Sequence, residues 1–237
     1  MSLFFSKKYS FSDKRLLEGA TDHHSHILFG VDDGVSTPEE SLAILEVLEQ
    51  QGLKALWLTP HTMEDVPNTT EGLKARFEEL KAIYSGPIEL HLASEYMMDD
   101  VFEKHLAEKD FLTHAEEGSV LMETSTWAAP YNFWEMIDTT MRSGFRPVLA
   151  HPERYEYMGR KEYSRLHNMG VRLQLNYPSL VGIYGDHVRE KAEMILRNGW
   201  YDMAGSDCHR IKALDRQLTQ SVLKKDIMEA LKTVLIK

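Results

Sequence analysis

The chain has 237 residues, 43% of them hydrophobic, with a formal net charge of −10 and one cysteine. That suits one globular domain with a full core, and no stretch approaches the roughly 18 consecutive apolar residues of a membrane-spanning helix. The balance lacks the basic stripe of a nucleic-acid-binding protein, the lone cysteine excludes an internal disulfide, and Leu3-Phe4-Phe5 ahead of Lys7-Lys8 reverses the order of a secretory signal, so a cytoplasmic protein without membrane insertion is expected.

Residues 1–18 read as an N-terminal extension or short helix, and residues 19–237 as a single domain. The first strand ends near Thr21 and Asp22, and a loop with Asp32-Asp33-Gly34 follows. Thr37-Pro38-Glu39-Glu40 has a capping-box pattern, with Pro at the first helical position. Leu42, Leu45 and Leu48 then share one helical face. Residues 55–59 form a second apolar strand, residues 71–83 a charged helix, residues 88–94 a third strand and residues 120–122 a fourth. Trp134, Ile137 and Met141 mark a helix face. Residues 147–150 make the fifth strand, and 171–175, with clean alternation, the sixth. A helix over about 186–198 stops at Gly199, a C-cap residue, before a seventh strand at 201–204. Leu223, Ile227, Leu231 and Val234 line a final helix.

Seven strands, each followed by a crossover, imply a parallel α/β sheet, open or closed. The polar residues at the strand ends decide between these. His24 and His26, His61, Glu95, Glu123, His151, and Asp207 with His209 follow or end six different strands. Only a closed barrel brings so many strand ends around one point; an open sheet gathers them at a single switch point.

A His-x-His pair on an extended chain sends both imidazoles to one face, where they can share a metal. Alone the pattern is a weak signal. Eight candidate ligands together exceed the roughly three protein ligands of a catalytic zinc and suit two or three ions with bridging carboxylates. Such clusters lower the pKa of water and clamp phosphoryl oxygens. Bland readings stand beside these: Pro60 alone accounts for a turn at His61, and a strand-end Glu123 is often simply solvated. His23 and His91 read as structural, and His105, His114, His167 and His187 as surface residues. Cys208 reads as packing; no Cys-x5-Arg phosphate loop surrounds it. Residues 124–134 hold Trp127, Tyr131, Phe133 and Trp134. Trp127 and Tyr131 either wall a substrate ring or cap the barrel.

His24-Ser25-His26-Ile27-Leu28, Val31-Asp32-Asp33-Gly34, Thr59-Pro60-His61, His151-Pro152-Glu153-Arg154-Tyr155, Asn176-Tyr177-Pro178-Ser179-Leu180-Val181-Gly182 and Ser206-Asp207-Cys208-His209 together resemble the polymerase-and-histidinol-phosphatase superfamily. Within it they look most like the bacterial tyrosine-protein phosphatases of capsule and exopolysaccharide operons. The resemblance spans about residues 20–210. It implies a distorted (β/α)7 barrel of TIM-like type, and a cluster of two or three divalent ions, manganese first, with iron, zinc, magnesium or cobalt as alternatives. It implies hydrolysis of phosphotyrosine on the tail of a tyrosine autokinase that controls polysaccharide export. The eight ligands match the family's ligand positions, and Arg154 matches an arginine that contacts the phosphate. Direct hydrolysis follows, with His151 and Asp207 in the catalytic set and Arg154 neutralising the equatorial oxygens. The resemblance places the family's second phosphate-binding arginine near Leu214, where Arg210, Lys212 and Arg216 are the neighbouring cations; which of them, if any, substitutes is left open, and Arg210 is named as a candidate substrate contact. The alternatives are a phosphoesterase for a small metabolite such as histidinol phosphate, and a barrel whose metals only stabilise a binding module.

Overall fold

The computed structural model describes residues 7–114 and 118–236. Its strands are β1 (Thr21–Asp22), β2 (Ala55–Leu58), β3 (His61–Thr62), β4 (Glu89–Leu92), β5 (Glu95–Met97), β6 (Ser119–Glu123), β7 (Arg146–Ala150), β8 (Arg172–Asn176) and β9 (Met203–Gly205). Every ladder between them is parallel, in the orders β1-β2-β4 and β3-β5-β6-β7-β8-β9.

The two sheets are one surface with a step in it. β2 and β3 lie on one line of chain, interrupted at Pro60, which has no N–H to give the ladder. Bonds across the step keep the register: Ala93 N–H donates to the Leu58 carbonyl (2.9 Å) and Glu95 N–H to the Pro60 carbonyl (3.0 Å). The ring then closes between its first and last members. His23 N–H donates to the Ala204 carbonyl (3.1 Å), Asp207 N–H to that of His24 (2.8 Å) and His26 N–H to that of Cys208 (3.0 Å). The seven expected strand positions are therefore all present, and the barrel reading holds over the open sheet. Closure depends on Gly205, because a Cβ there would lie 2.5 Å from the His24 Cβ and 2.7 Å from its backbone nitrogen.

Helices α1 (Pro38–Gln50), α2 (Thr70–Ile83), α3 (Asp100–Glu108), α4 (Phe133–Arg142), α5 (Arg160–Met169), α6 (Tyr177–Leu180), α7 (Asp186–Arg197), α8 (Ile211–Thr219) and α9 (Lys225–Leu235) pack around this ring. α1 opens on the expected capping box, Thr37 Oγ1 accepting from Glu40 N–H while the Glu40 carboxylate accepts from Thr37 N–H. Its buried face is Ser41, Ile44, Leu45 and Leu48, with Leu42 only half-buried. Outward-facing Val120, Met122, Leu149, Leu173, Leu175 and Ala204 join the main core beneath the helices, and Phe11 and Leu17 from the N-terminal stretch enter it too. The next residues along the same strands, Leu121, Val148, Ala150 and Met203, form a separate apolar cluster. This period-two division is what a filled barrel requires. None of the helices among the described residues is long and apolar enough to cross a membrane.

One expectation is overturned here. His114 is buried, not a surface residue. Its N–H and the Ser119 carbonyl are bonded (2.6 Å), so the chain folds back under β6 and lays the imidazole on Trp57, centroids 4.2 Å apart. Burial holds its pKa well below the usual histidine range.

Candidate metal centre

Every candidate ligand sits at the carboxyl end of its strand, the face where barrel chemistry gathers. Seven of the eight are Glu95, Asp207 and five imidazoles that each lie within 3.6 Å of one of those two carboxylates. Glu123 completes the eight, 3.0 Å from His61 Nδ1.

Hydrogen bonds behind the ring fix which nitrogen faces the centre. Asp32 Oδ2 accepts from His26 Nδ1–H (2.8 Å), Gln174 Oε1 from His24 Nδ1–H (3.0 Å), and the Asp207 carbonyl from His209 Nδ1–H (2.9 Å). All three imidazoles therefore direct Nε2 at the centre, the arrangement that orients a metal ligand. The His24 and His26 Nε2 atoms are 3.0 Å apart. Glu95 Oε2 is 3.2 and 3.3 Å from them, and Asp207 Oδ1 3.5 and 3.3 Å. Four donors about 2.0–2.1 Å from a central ion in a tetrahedron would be spaced about 3.3 Å apart. The donor set fits a divalent ion in both chemistry and spacing.

Among the described residues, three groups could hold an ion: His24, His26 and Asp207; His61, Glu95 and Glu123; and His26, Asp33, His61 and His209. They share members, and Glu95 links them. Its Oε2 reaches His24, His26 and His61, while Oε1 is 3.0 Å from His151 Nε2. Glu95 Oε2, Glu123 Oε1 and His61 Nδ1 are buried with no hydrogen-bond partner, a costly state that a cation relieves. Asp33 was not among the sequence-derived ligands, yet its Oδ1 lies 3.6 Å from His61 Nε2 and 3.4 Å from His209 Nε2.

The electrostatics follow from packing acids and imidazoles out of water. Burial opposes charge on His24, but Glu95 and Asp207 outweigh it and push its pKa up to about 9. His26 is raised well above the usual range by Asp207, Asp32 and Glu95, again against its burial. Burial favours the neutral forms of Glu95 and Asp207, yet the imidazoles, joined by Arg154 at Asp207, hold both carboxyls well below the carboxylate range. His209 is lowered by burial and by its neighbour His26.

Two ligands are held in strained backbone. His151 has φ 34° and Asp207 φ 50°, both left-handed. That region costs a non-glycine residue on the order of 1–2 kcal/mol and collects at functional sites. At His151 it turns β7 into the one-turn helix Pro152–Arg154. Glu153 secures that turn from behind, accepting from Asn176 N–H (3.0 Å) and the Tyr201 hydroxyl (2.9 Å). Burial raises the Glu153 carboxyl. The Arg154 guanidinium instead faces the centre, its Nη1 donating to Asp207 Oδ2 (3.0 Å) and its plane 4.5 Å from the Tyr184 ring centroid. Asn176 Nδ2 donates to the same Asp207 oxygen (2.6 Å).

A pocket of about 240 Å³ opens over the cluster, lined by Asp33, Met63, Arg154 and Tyr184 and by every candidate ligand except the deeper His24 and His26. Tyr184 and Met63 carry no motif signal and were missed in the sequence. Trp127 and Tyr131 do not line this pocket. Trp127 is 79% exposed, and Tyr131 stands at a separate groove between α3 and α4 with Glu103, Leu106 and Glu135. Arg210 does not line this pocket, its Nη1 donating to the Gly34 and His209 carbonyls. Leu214, at the place of the second arginine, is fully buried on α8.

A sequence model described as capsular polysaccharide synthesis, CpsB/CapC, matches residues 20–235. The tyrosine-protein phosphatase CpsB of Streptococcus agalactiae serotype V is 27% identical over 209 residues, 80% of this chain and 83% of that one. The tyrosine-protein phosphatase YwqE of Bacillus subtilis is 26% identical over 198 residues, covering 81% and 78%. Among solved structures, the metal-dependent tyrosine phosphatases YwqE of B. subtilis and CpsB of Streptococcus pneumoniae share the fold, with TM-score 0.74 at 22% identity over 92% of this chain and 88% of the other. A lactonase of Listeria monocytogenes shares it more distantly, with TM-score 0.52 at 12% identity over 91% and 86%.

Proposed function

We propose that this chain, which belongs to the CpsB/CapC family of capsular polysaccharide synthesis, is a metal-dependent protein-tyrosine phosphatase. The observation that carries the reading is the triple ligand group joined through Glu95, with a guanidinium at its rim. A single structural ion needs neither the extra donors nor the arginine.

His24, His26, His61, Glu95, Glu123, His151, Asp207 and His209 would hold the ions, with Asp33 added from the geometry. Bound there, two or three divalent ions, manganese foremost, would supply activated water and neutralise phosphoryl charge. The protein's own part is positioning. The planar fork of Arg154 can take two phosphoryl oxygens at once. Asp207 and Asn176 fix where that fork sits. Tyr184 offers a ring beside the phosphate position, suited to packing on a tyrosyl ring. A phenol leaves with a pKa near ~10, so it needs less acid assistance than an alkyl alcohol. The substrate we assign is the phosphotyrosine tail of a cytoplasmic tyrosine autokinase governing capsule or exopolysaccharide export.

The test is turnover of a phosphotyrosine peptide by metal-stripped protein with manganese restored, beside His151→Ala and a parallel reaction with histidinol phosphate. Manganese-dependent peptide hydrolysis, lost in the variant, is expected. Hydrolysis of histidinol phosphate alone would move the substrate to small metabolites. No hydrolysis of either would leave a metal-stabilised module.

A further inference from the structure

A second cavity, about 470 Å³, lies between α1 and the start of α8. Val35, Ala43 and Ile44 line it from one side and Ile211 and Ala213 from the other, with Arg210 and Lys212 among them. Both sides run directly into the rim of the metal centre. Asp33 stands two residues before Val35, His209 immediately precedes Arg210, and Arg210 Nη1 donates to the Gly34 carbonyl where the two segments meet. Residues 33–35 and 209–211 thus run from the pocket over the metal centre to this cavity.

Its character differs from the pocket's. The lining is aliphatic, and Ile211 is 42% exposed there. Glu40, the one acid in the lining, is already committed to the cap of α1, accepting from Ser36 N–H (2.7 Å) and Thr37 N–H (3.2 Å). Arg210 and Lys212 outnumber this one carboxylate and give the edge a net positive lining on a chain of net charge −10. Like charge elsewhere on the surface repels an acidic polypeptide, and this edge attracts it.

We infer that this groove receives an apolar side chain flanking the phosphorylated tyrosine of the substrate, with an acidic neighbour meeting Arg210 and Lys212. The inference rests on the protein-phosphatase reading above. It assigns sequence preference to the α1–α8 edge, while the metal centre and Arg154 see only the phosphoryl group. One apolar side chain in such a pocket is worth about tenfold or more in kcat/KM.

The experiment uses the manganese-loaded full chain and phosphotyrosine peptides in which one leucine is moved through the four positions on each side, on a serine and glutamate background. Wild type is compared with Ile211→Asp and Ala43→Trp, and p-nitrophenyl phosphate reports the metal centre in each preparation. Expected is a preference of about tenfold for leucine at one position in wild type, abolished in both variants, with p-nitrophenyl phosphate turnover unchanged. Peptide turnover with no positional preference, or a preference that survives in both variants, would overturn the groove and leave the phosphatase reading standing. Turnover of p-nitrophenyl phosphate with none of the peptides cleaved would overturn both.

Discussion

Asp32→Asn should weaken metal binding while sparing every ligand. The Asp32 carboxylate accepts three hydrogen bonds: from His26 Nδ1–H at 2.8 Å, Gly34 N–H at 2.9 Å and His61 N–H at 3.1 Å. Its pKa is lowered: burial pushes it up, but the bond to His26 and the backbone donors outweigh burial. An asparagine has one acceptor oxygen where the aspartate has two. If the amide nitrogen takes the Oδ1 position, Gly34 N–H loses its acceptor; if it takes the Oδ2 position, His26 and His61 do. Each orphaned buried donor costs about 1–3 kcal/mol. The charge that keeps His26 Nε2 basic is lost in either case. Loss of such a partner typically lowers metal affinity about 10–100-fold, or about 1.4–2.7 kcal/mol. Manganese affinity of the stripped protein, measured by competition against a chelator, should fall by that factor, with a parallel fall in the unfolding midpoint of the metal-free chain. Unchanged affinity in a folded Asp32→Asn protein would show that the ligands are oriented without this carboxylate.

Four further outcomes follow from the same geometry. At pH 7 the metal-free His24 is protonated, since its pKa is pushed up to about 9, so loading must expel at least one proton. Calorimetry in two buffers of different ionisation enthalpy should detect it, affinity should rise as the pH climbs toward about 9, and zero release would refute the assignment. For the metal-free fold the sign is opposite: the stabilisation from charged His24 is complete below its unfolded pKa of about 6.5 and lost as the pH rises through about 9. The Cys208 thiol is buried and pushed up to about 12, so a thiol reagent at pH 8 should leave it intact in the native protein and label it in denaturant; rapid native labelling would contradict its packing. Tyr184→Ala should raise KM for aryl phosphates about tenfold, the scale of a lost ring contact together with a cation–π pair. Tyr184→Phe should restore it, and equal effects of the two substitutions would point to the hydroxyl instead.

The strand positions and the convergence of the eight candidate ligands were legible because each lies in or just after a short apolar run, where period-two patterning fixes the direction of side chains. Asp33 lies outside that logic. It occupies a loop, and its approach to His61 and His209 depends on how residues 32–34 wrap the ring. That path is set by Asp32 and by Gly34, where a Cβ would lie 1.9 Å from the His26 carbonyl oxygen. Tyr184 follows the short α6, where no periodicity points its ring at Arg154. His114 misled because a polar residue beside Glu116 and Glu117 reads as exposed, whereas a single bridge to Ser119 folds it under the barrel. The aromatic run at Trp127 and Tyr131 has the composition of a binding wall. Composition carries no direction: Trp127 is exposed and Tyr131 stands at the α3–α4 groove, outside the lining of the pocket over the cluster.

Closure of the ring also sets an order of events for the nascent chain. Ser206 N–H donates to Asp22 Oδ1 across 184 residues of sequence, and one ligand group draws His24 and His26 from one end and Asp207 from the other. A ribosome-bound fragment lacking the last strand can hold His61, Glu95 and Glu123 together but has no partner for the first strand. The entropy of closing so long a loop grows only slowly with its length, so the delay comes from waiting for the chain to be made. The ligand cluster is therefore completed in one step, only once the last strand has been made, and products truncated before that strand lack it.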